Sequence, residues 1–241
     1  MPDVIVLALD TCDSRGSVAV LQDDAVVRVL AHESEEDYSS WLLPAVGECL
    51  GGGGLRMQDV DTYAVATGPG SFTGVRVGLT SIKAWAEVYG KRIVAVSRLE
   101  ALAAEASGET GWVAAFFNAQ RSQIFGAIYK QNGTRLVRSA DEMVIAPGEF
   151  VELAAEVAKD EKISWVSSDA ECVIAEAAWK AREMRGERVE SVSSVRAPMI
   201  GRLGLAAFSE GRFTDALALD ANYVRRSDAE IFWKGKATHG R

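Results

Sequence analysis

The residues best placed to do chemistry lie in the segment Thr67-Gly68-Pro69-Gly70-Ser71-Phe72-Thr73-Gly74, between an apolar run and a long amphipathic stretch. Glycines on either side of a proline permit a sharp turn, and Ser71 and Thr73 can cap the exposed N–H groups of a helix that begins there. Such a helix start attracts anions. The spacing, however, fits neither GxxxxGK[ST] nor GxGxxG, and no lysine follows to hold a phosphate. The residues alone favour a structural turn over a phosphate site. Asp10 and Thr11 form a second candidate, closing the run Val4–Leu9 and leading into Asp13, Ser14 and Gly16. Metal and thiol chemistry find less support. The two histidines, His32 and His239, lie almost the whole chain apart, and His32, beside Glu33, Glu35 and Glu36, reads as a surface residue. Cys12, Cys49 and Cys172 have no CxxC spacing, so neither zinc nor a disulfide framework is expected. Cys12 has no base at hand and reads as a spectator thiol.

The helix that follows the glycine loop is apolar on two sides. Val75, Leu79, Ile82, Ala86 and Tyr89 make one stripe, and Val77, Ala84, Trp85 and Val88 make another. Its own sheet can cover one stripe; the second needs a different cover. Gly74, Gly78 and Ser81 are small enough to admit a neighbouring backbone, and the preceding helical segment adds Trp41, Leu42, Val46, Cys49 and Leu50. Contact with another part of the chain would cover these residues. A helix-on-helix subunit interface would do so too, and the tryptophans favour it.

These positions need elements to hold them. Strand-like segments at Val4–Leu9, Ser17–Gln22 and Ala25–Ala31 come first, the last two joined tightly at Asp23-Asp24. A helix over about Tyr38 to Leu50 must accommodate Pro44 by starting, kinking or breaking. A strand at Thr62–Ala66, the helix from the glycine loop to about Tyr89, a strand at Arg92–Val96 and a helix from Leu99 to Ala106 follow. The order then nearly repeats. Strands at Trp112–Phe117, Gln123–Tyr129 and Arg135–Ser139, with a hairpin turn at Asn132-Gly133, precede a helix opening at Pro147, a strand at Ile163–Val166 and a helix at Ala170–Arg185. A short strand at Arg188–Val192 and a helix at Met199–Gly211 close the pattern. This predicts an α/β fold of duplicated actin/Hsp70/sugar-kinase-like (ribonuclease H-like) lobes, each a mixed sheet with flanking helices. The polar stretch Ser107–Gly111 divides an N-terminal lobe at 1–106 from a C-terminal lobe at 107–230, with a tail at 231–241. ATPases of this architecture place a phosphate-facing acid where Asp10 and Thr11 stand. The matching turn of the second lobe, Phe117 to Ser122, offers neither a paired acid nor a glycine turn, so the pair is at most a vestigial nucleotide site.

Composition narrows the classes further. The chain has 241 residues, 48% of them hydrophobic and 25% charged, as in an ordinary globular protein. No apolar run approaches a membrane span, and the first residues read as a strand rather than a signal peptide, so a cytoplasmic location is expected. A net charge of −8 argues against gripping nucleic acid without a basic partner. The small basic groups at Arg225-Arg226 and at Lys234, Lys236 and Arg241 read as solvated faces.

Five segments, in order, carry a resemblance: LALDT at Leu7–Thr11, LLP at Leu42–Pro44, GPGSFTGVRVG at Gly68–Gly78, VSRLEALA at Val96–Ala103 and ANYVRRSDAEI at Ala221–Ile231. They resemble the TsaB family of bacterial threonylcarbamoyladenosine biosynthesis proteins, non-catalytic glycoprotease-like homologues of TsaD. The resemblance implies a subunit without a cofactor of its own, paired with a TsaD-type transferase and a TsaE-type ATPase, where ATP and a metal ion are expected. The acidic charge leaves contact with tRNA mainly to the complex, and the exposed apolar helix pair leads to a homodimer in isolation as a further expectation. Together the subunits would form threonylcarbamoyladenosine next to the anticodon of tRNAs reading codons that begin with A. Relatives often carry His in the segment of Tyr38, and Asp-Ala-Arg where this chain has Asn118-Ala119-Gln120. A metal-independent small-molecule kinase or ATPase, or a peptidase of the same fold, is the competing class. It would need opposed phosphate loops or a histidine pair.

Overall fold

The computed structural model describes residues 3–33, 36–108, 110–133, 135–159 and 161–225. Strand β1 (Ile5–Asp10) is buried at every position, as a strand covered on both faces must be. It is the middle of a five-stranded sheet whose order is β3 (Ala25–Ala31), β2 (Ser17–Gln22), β1, β4 (Thr62–Ala66) and β5 (Arg92–Val96). The meander β1–β2–β3 is antiparallel, whereas β4 and β5 join in parallel, each after a helix.

A second sheet repeats the plan with β6 (Thr110–Asn118), β7 (Ile124–Asn132), β8 (Arg135–Arg138), β10 (Ile163–Ser167) and β11 (Val189–Ser191), in the order β11-β10-β6-β7-β8. Read outward from the meander, both sheets have the same strand order, so the duplication expected from sequence is present. Strand β9 (Met143–Ile145), which the pattern does not signal, pairs with the start of β7. Its three residues are each half-buried, too short and too uniform to alternate visibly.

Helix α1 (Tyr38–Gly52) contains Pro44 within a single helical span, and α2 (Phe72–Tyr89) follows the glycine loop. Both cover one face of the first sheet, α1 over β2 and β3, and α2 over β4, β1 and β5. Helix α3 (Arg98–Ala103) packs on β6 and β7, so it joins the two bodies. Helix α4 (Pro147–Val157) starts at its proline as expected. The helix expected over Ala170–Arg185 is instead two short ones, α5 (Glu171–Ile174) and α6 (Trp179–Met184).

The last helix, α7 (Ala197–Ser209), corrects the sequence reading most. Expected with the second lobe, it packs on β1, β4 and β2 of the first sheet. Its small residues allow this: a Cβ on Gly201 would lie 2.3 Å from Leu21 and one on Gly204 2.5 Å from Ala64. A segment then runs along the first body, pairing Thr214 with Ile93 and bonding Asn222 N–H to the Thr67 carbonyl at 2.7 Å, before Arg225 reaches the second body and donates to the Ala119 carbonyl at 2.7 Å. The tail 231–241, with His239, and residues Arg226 to Ile231 of the family segment, lie outside the described residues. Among the described residues no helix is long and apolar enough to cross a membrane.

Candidate functional site

The glycine loop is shaped by what lies under it. Ser71 N–H donates to the Cys12 carbonyl at 2.5 Å, and a Cβ on Gly70 would meet that same oxygen at 2.1 Å. Gly68 has φ +109°, and the Gly68–Pro69 bond is cis. Ser71 caps α2, its hydroxyl accepting from Gly74 N–H at 3.3 Å. Thr73, expected to share the capping, is exposed on the helix surface. Phe72 stacks on Tyr223 with centroids 5.0 Å apart, and the Arg76 guanidinium lies 3.7 Å from the Phe72 centroid while Arg76 Nε donates to Tyr223 Oη at 2.9 Å.

Gly74 and Gly78 do not clear space for a neighbouring helix. They face Thr11 at the end of β1, where a Cβ would meet the Thr11 carbonyl oxygen at 2.1 Å and its Oγ1 at 2.5 Å respectively. Thr11 Oγ1 donates to the Gly74 carbonyl at 2.7 Å, which ties the strand to the helix. The small residues therefore serve contact within the chain.

Asp10 and Thr11, offered as a vestigial nucleotide site, likewise bond within the chain. Asp10 is wholly buried; its Oδ1 accepts from Cys12 N–H at 2.9 Å and its Oδ2 from Arg98 Nε at 2.8 Å. Arg98 also reaches Asp13, Nη2 to Oδ2 at 2.7 Å, so both acids of this turn are bound to one buried guanidinium. Burial alone would raise the Asp13 pKa, but the charge and hydrogen bond of Arg98, helped by Arg15, hold it below the usual carboxylate range. Burial pushes the Cys12 thiol well up, and the Asp10 charge adds to this, so the thiol stays protonated and unreactive.

The second body supplies one acid that sequence reasoning missed. Asp169, just after β10, accepts both Arg15 guanidinium nitrogens at 2.9 and 3.1 Å, and also Asn118 N–H at 3.1 Å. A carboxylate thus stands beside position 118, supplied by the loop after β10. Burial would raise the Asp169 pKa; the Arg15 and Asn118 hydrogen bonds overcome this and lower it. The Ser-Ser-Asp that follows a buried strand was the available signal.

The exposed side of α1 and α2 forms a groove of about 540 Å³ lined by Tyr38, Leu42, Leu43, Phe72, Val77 and Trp85 among others. Leu43 is 66% exposed and Val88, one turn past Trp85, is 73% exposed. Trp41, Ser81 and Trp85 are half-buried. Of the residues expected at a partner interface, Leu42, Val46, Cys49 and Leu50 are instead almost wholly buried in the first body's core. Leu42 still closes the groove floor. In their place the structure exposes Leu43, which lies next to Pro44 and off the stripe that the sequence suggested. The other α2 stripe, Val75, Leu79, Ile82 and Ala86, faces the sheet. Each fully buried side chain of this kind contributes about 1.5–3 kcal/mol.

His32 is not a surface residue. It is only 8% exposed, its ring 4.5 Å from that of Tyr38 and 4.9 Å from that of Trp41. Its ring nitrogens approach the Ser14 carbonyl at 3.1 Å and the Glu36 carbonyl at 2.7 Å. Tyr38 accepts Gly16 N–H at 2.7 Å and donates to the Asp13 carbonyl, so the groove's first residue is anchored to the turn beneath it. Burial raises its phenol pKa. Among the described residues no group of three or more His, Cys, Asp or Glu side chains could hold a metal ion.

Comparison with known proteins agrees with this picture. The family model for TsaD, tRNA N6-adenosine threonylcarbamoyltransferase, matches residues 29–188. The tRNA threonylcarbamoyladenosine biosynthesis protein TsaB of Bacillus subtilis is 27% identical over 95% of this chain and 97% of its own length. A Pseudomonas aeruginosa protein described as similar to the peptidase YeaZ superposes with a TM-score of 0.70 at 23% identity, covering 92% of this chain and all of the other. A hexokinase of the ROK type from Thermus thermophilus reaches 0.50 at 11% identity, covering 87% of this chain and 100% of its own, which confirms the duplicated actin-like fold. The model match spans more than half the chain and the B. subtilis protein aligns along nearly all of it, so the chain belongs to the TsaD-related family of threonylcarbamoyladenosine proteins, on its TsaB branch.

Proposed function

We propose that this chain is the non-catalytic TsaB-type subunit of a complex that makes threonylcarbamoyladenosine in tRNA, and that it pairs with a TsaD-type transferase through the α1–α2 groove. The observation that carries the reading is the contrast between two surfaces. The acids at the end of β1 are taken up by Arg98, whereas the helix pair leaves Leu43 and Val88 exposed beside a half-buried Trp85. Aromatic and aliphatic anchors in a shallow groove are the usual energetic centre of a protein interface. A TsaE-type ATPase and the tRNA join through that pair, and ATP and a metal ion act in the partner subunits. The net charge of −8 supports leaving the tRNA mainly to the partners. Without the transferase, a second copy can cover the same groove as a homodimer.

The test is size-exclusion chromatography of the purified chain mixed with the TsaD-type subunit. Val88→Glu and Leu43→Glu place a charge at the exposed rim without touching the core, and each should abolish the mixed peak. A mixed complex that survives both substitutions would place the interface elsewhere. ATP turnover by the isolated chain, lost in Asp10→Ala, would instead favour an enzyme.

A further inference from the structure

Arg98 sits at the start of α3 and Arg15 in the turn after β1, yet they belong to one row of charges. Asp10, Arg98, Asp13, Arg15 and Asp169 follow one another with alternating sign, each in contact with the next at 2.8, 2.7, 3.5 and 2.9 Å. The row begins at the end of β1 in the first sheet and ends just after β10 of the second. Its first four members lie on the first body or the joining helix; Asp169 follows β10 of the second. Arg98 adds a second crossing, its guanidinium 4.7 Å from the centroid of Phe117 on β6. Asp169 is held in turn by Ser167 Oγ, which accepts Asp169 N–H at 2.8 Å, and by Asn118 N–H.

Two-lobed folds of this kind close around a ligand placed in the cleft, and the closure is driven by what the ligand contacts on each side. Here the contacts on each side are made by the protein. We propose that this charge row is a built-in substitute for a cleft ligand: it holds the two bodies at a fixed angle without nucleotide, so the α1–α2 groove is carried on a body that does not hinge. Asp13 Oδ2 lies between the Arg98 and Arg15 guanidiniums, at 2.7 and 3.5 Å, and offsets the repulsion between them. Arg98 is 4% exposed at its side chain and is the fixed centre. Arg15 is 40% exposed and Asp169 18%, so their pair is the part of the row that can open. This does not depend on the proposed partner: the row could fail to lock the bodies while the groove still bound a transferase.

The experiment is hydrogen exchange of the full chain, comparing wild type with Arg15→Gln. That substitution removes no acceptor of any second-body amide, and separation of the bodies is told from a local change at Asp169 by faster exchange also in α3, which packs on β6 and β7. The Asn118 amide and those of the β10–α5 turn should exchange roughly two- to fivefold faster in Arg15→Gln, the range of a partly exposed ion pair. The conservative Arg15→Lys, which keeps a cation facing Asp169 and leaves the acceptor of Asn118 N–H in place, should stay near wild type. Added Mg-ATP should leave wild-type exchange unchanged. Wild-type rates in Arg15→Gln, or protection of the same amides by Mg-ATP in the wild type, would overturn the proposal.

Discussion

Gly74 lies so close to Thr11 that a side-chain carbon on it would come within 2.1 Å of the Thr11 carbonyl oxygen, and Gly78 would bring one within 2.5 Å of Thr11 Oγ1. The glycine loop is therefore a packing device, joining α2 to the end of β1. Gly74→Ala should cost about 1–3 kcal/mol or more in stability, because a backbone oxygen cannot move aside. Gly78→Ala should cost less, and Thr11→Ala should recover part of its loss by removing the obstructing hydroxyl. Urea denaturation of the two single variants and the Thr11→Ala/Gly78→Ala double variant checks this. The two changes at Thr11 and Gly78 should couple, as residues in contact do. Strict additivity would contradict the packing account.

Much of this fold was legible because its central strands are apolar runs of five or more residues with turn residues between them. The meanders, the hairpin at Asn132-Gly133, the proline start of α4 and the duplication all follow from local pattern. The destination of α7 did not. Its apolar face suits either sheet, and only the fit of Gly201 and Gly204 against Leu21 and Ala64 decides between them. At the site, the sequence signalled the importance of the glycine loop and the second apolar face of α2. It did not signal that Arg98 reaches Asp10 across 88 positions, or that Asp169 meets Arg15 across 154, since ion pairs leave no periodic trace. His32 was misjudged for a related reason. Acidic neighbours in sequence suggested solvent, whereas Tyr38 and Trp41 cover it from the following helix.

A second buried ion pair should dominate the stability of the other body. Glu187 accepts from Trp165 Nε1 at 2.6 Å and from Arg182 Nε and Nη2 at 3.0 and 2.7 Å. Arg182, Glu187 and Trp165 are each at most 3% exposed. Glu187→Ala removes the carboxylate that faces the buried Arg182 guanidinium and the acceptor of the Trp165 indole N–H, and should destabilise by about 3–5 kcal/mol. The midpoint of urea unfolding reports it, and a loss below about 1 kcal/mol would contradict the assignment.

Glu100 gives a pH dependence of defined sign. Burial raises its pKa, and the charge of Glu142 adds to the effect. A carboxyl whose pKa is raised on folding binds its proton more tightly in the native state, so its ionised form costs stability. That cost is absent below the unfolded value of about 4.3 and is fully present above the folded one. Glu100→Gln should therefore be more stable than wild type at pH 7, by a margin that shrinks as the pH falls toward 4. Thermal unfolding across that range measures the margin. A difference independent of pH would mean that the Glu100 charge is not responsible.

The most direct test of the central claim is nucleoside analysis of tRNA from cells lacking this chain, with each variant restored at its native level. Loss of the chain should deplete threonylcarbamoyladenosine. Wild type should restore it, and Val88→Glu and Leu43→Glu, though folded, should not. Unchanged threonylcarbamoyladenosine in its absence, or full restoration by both groove variants, would contradict the account.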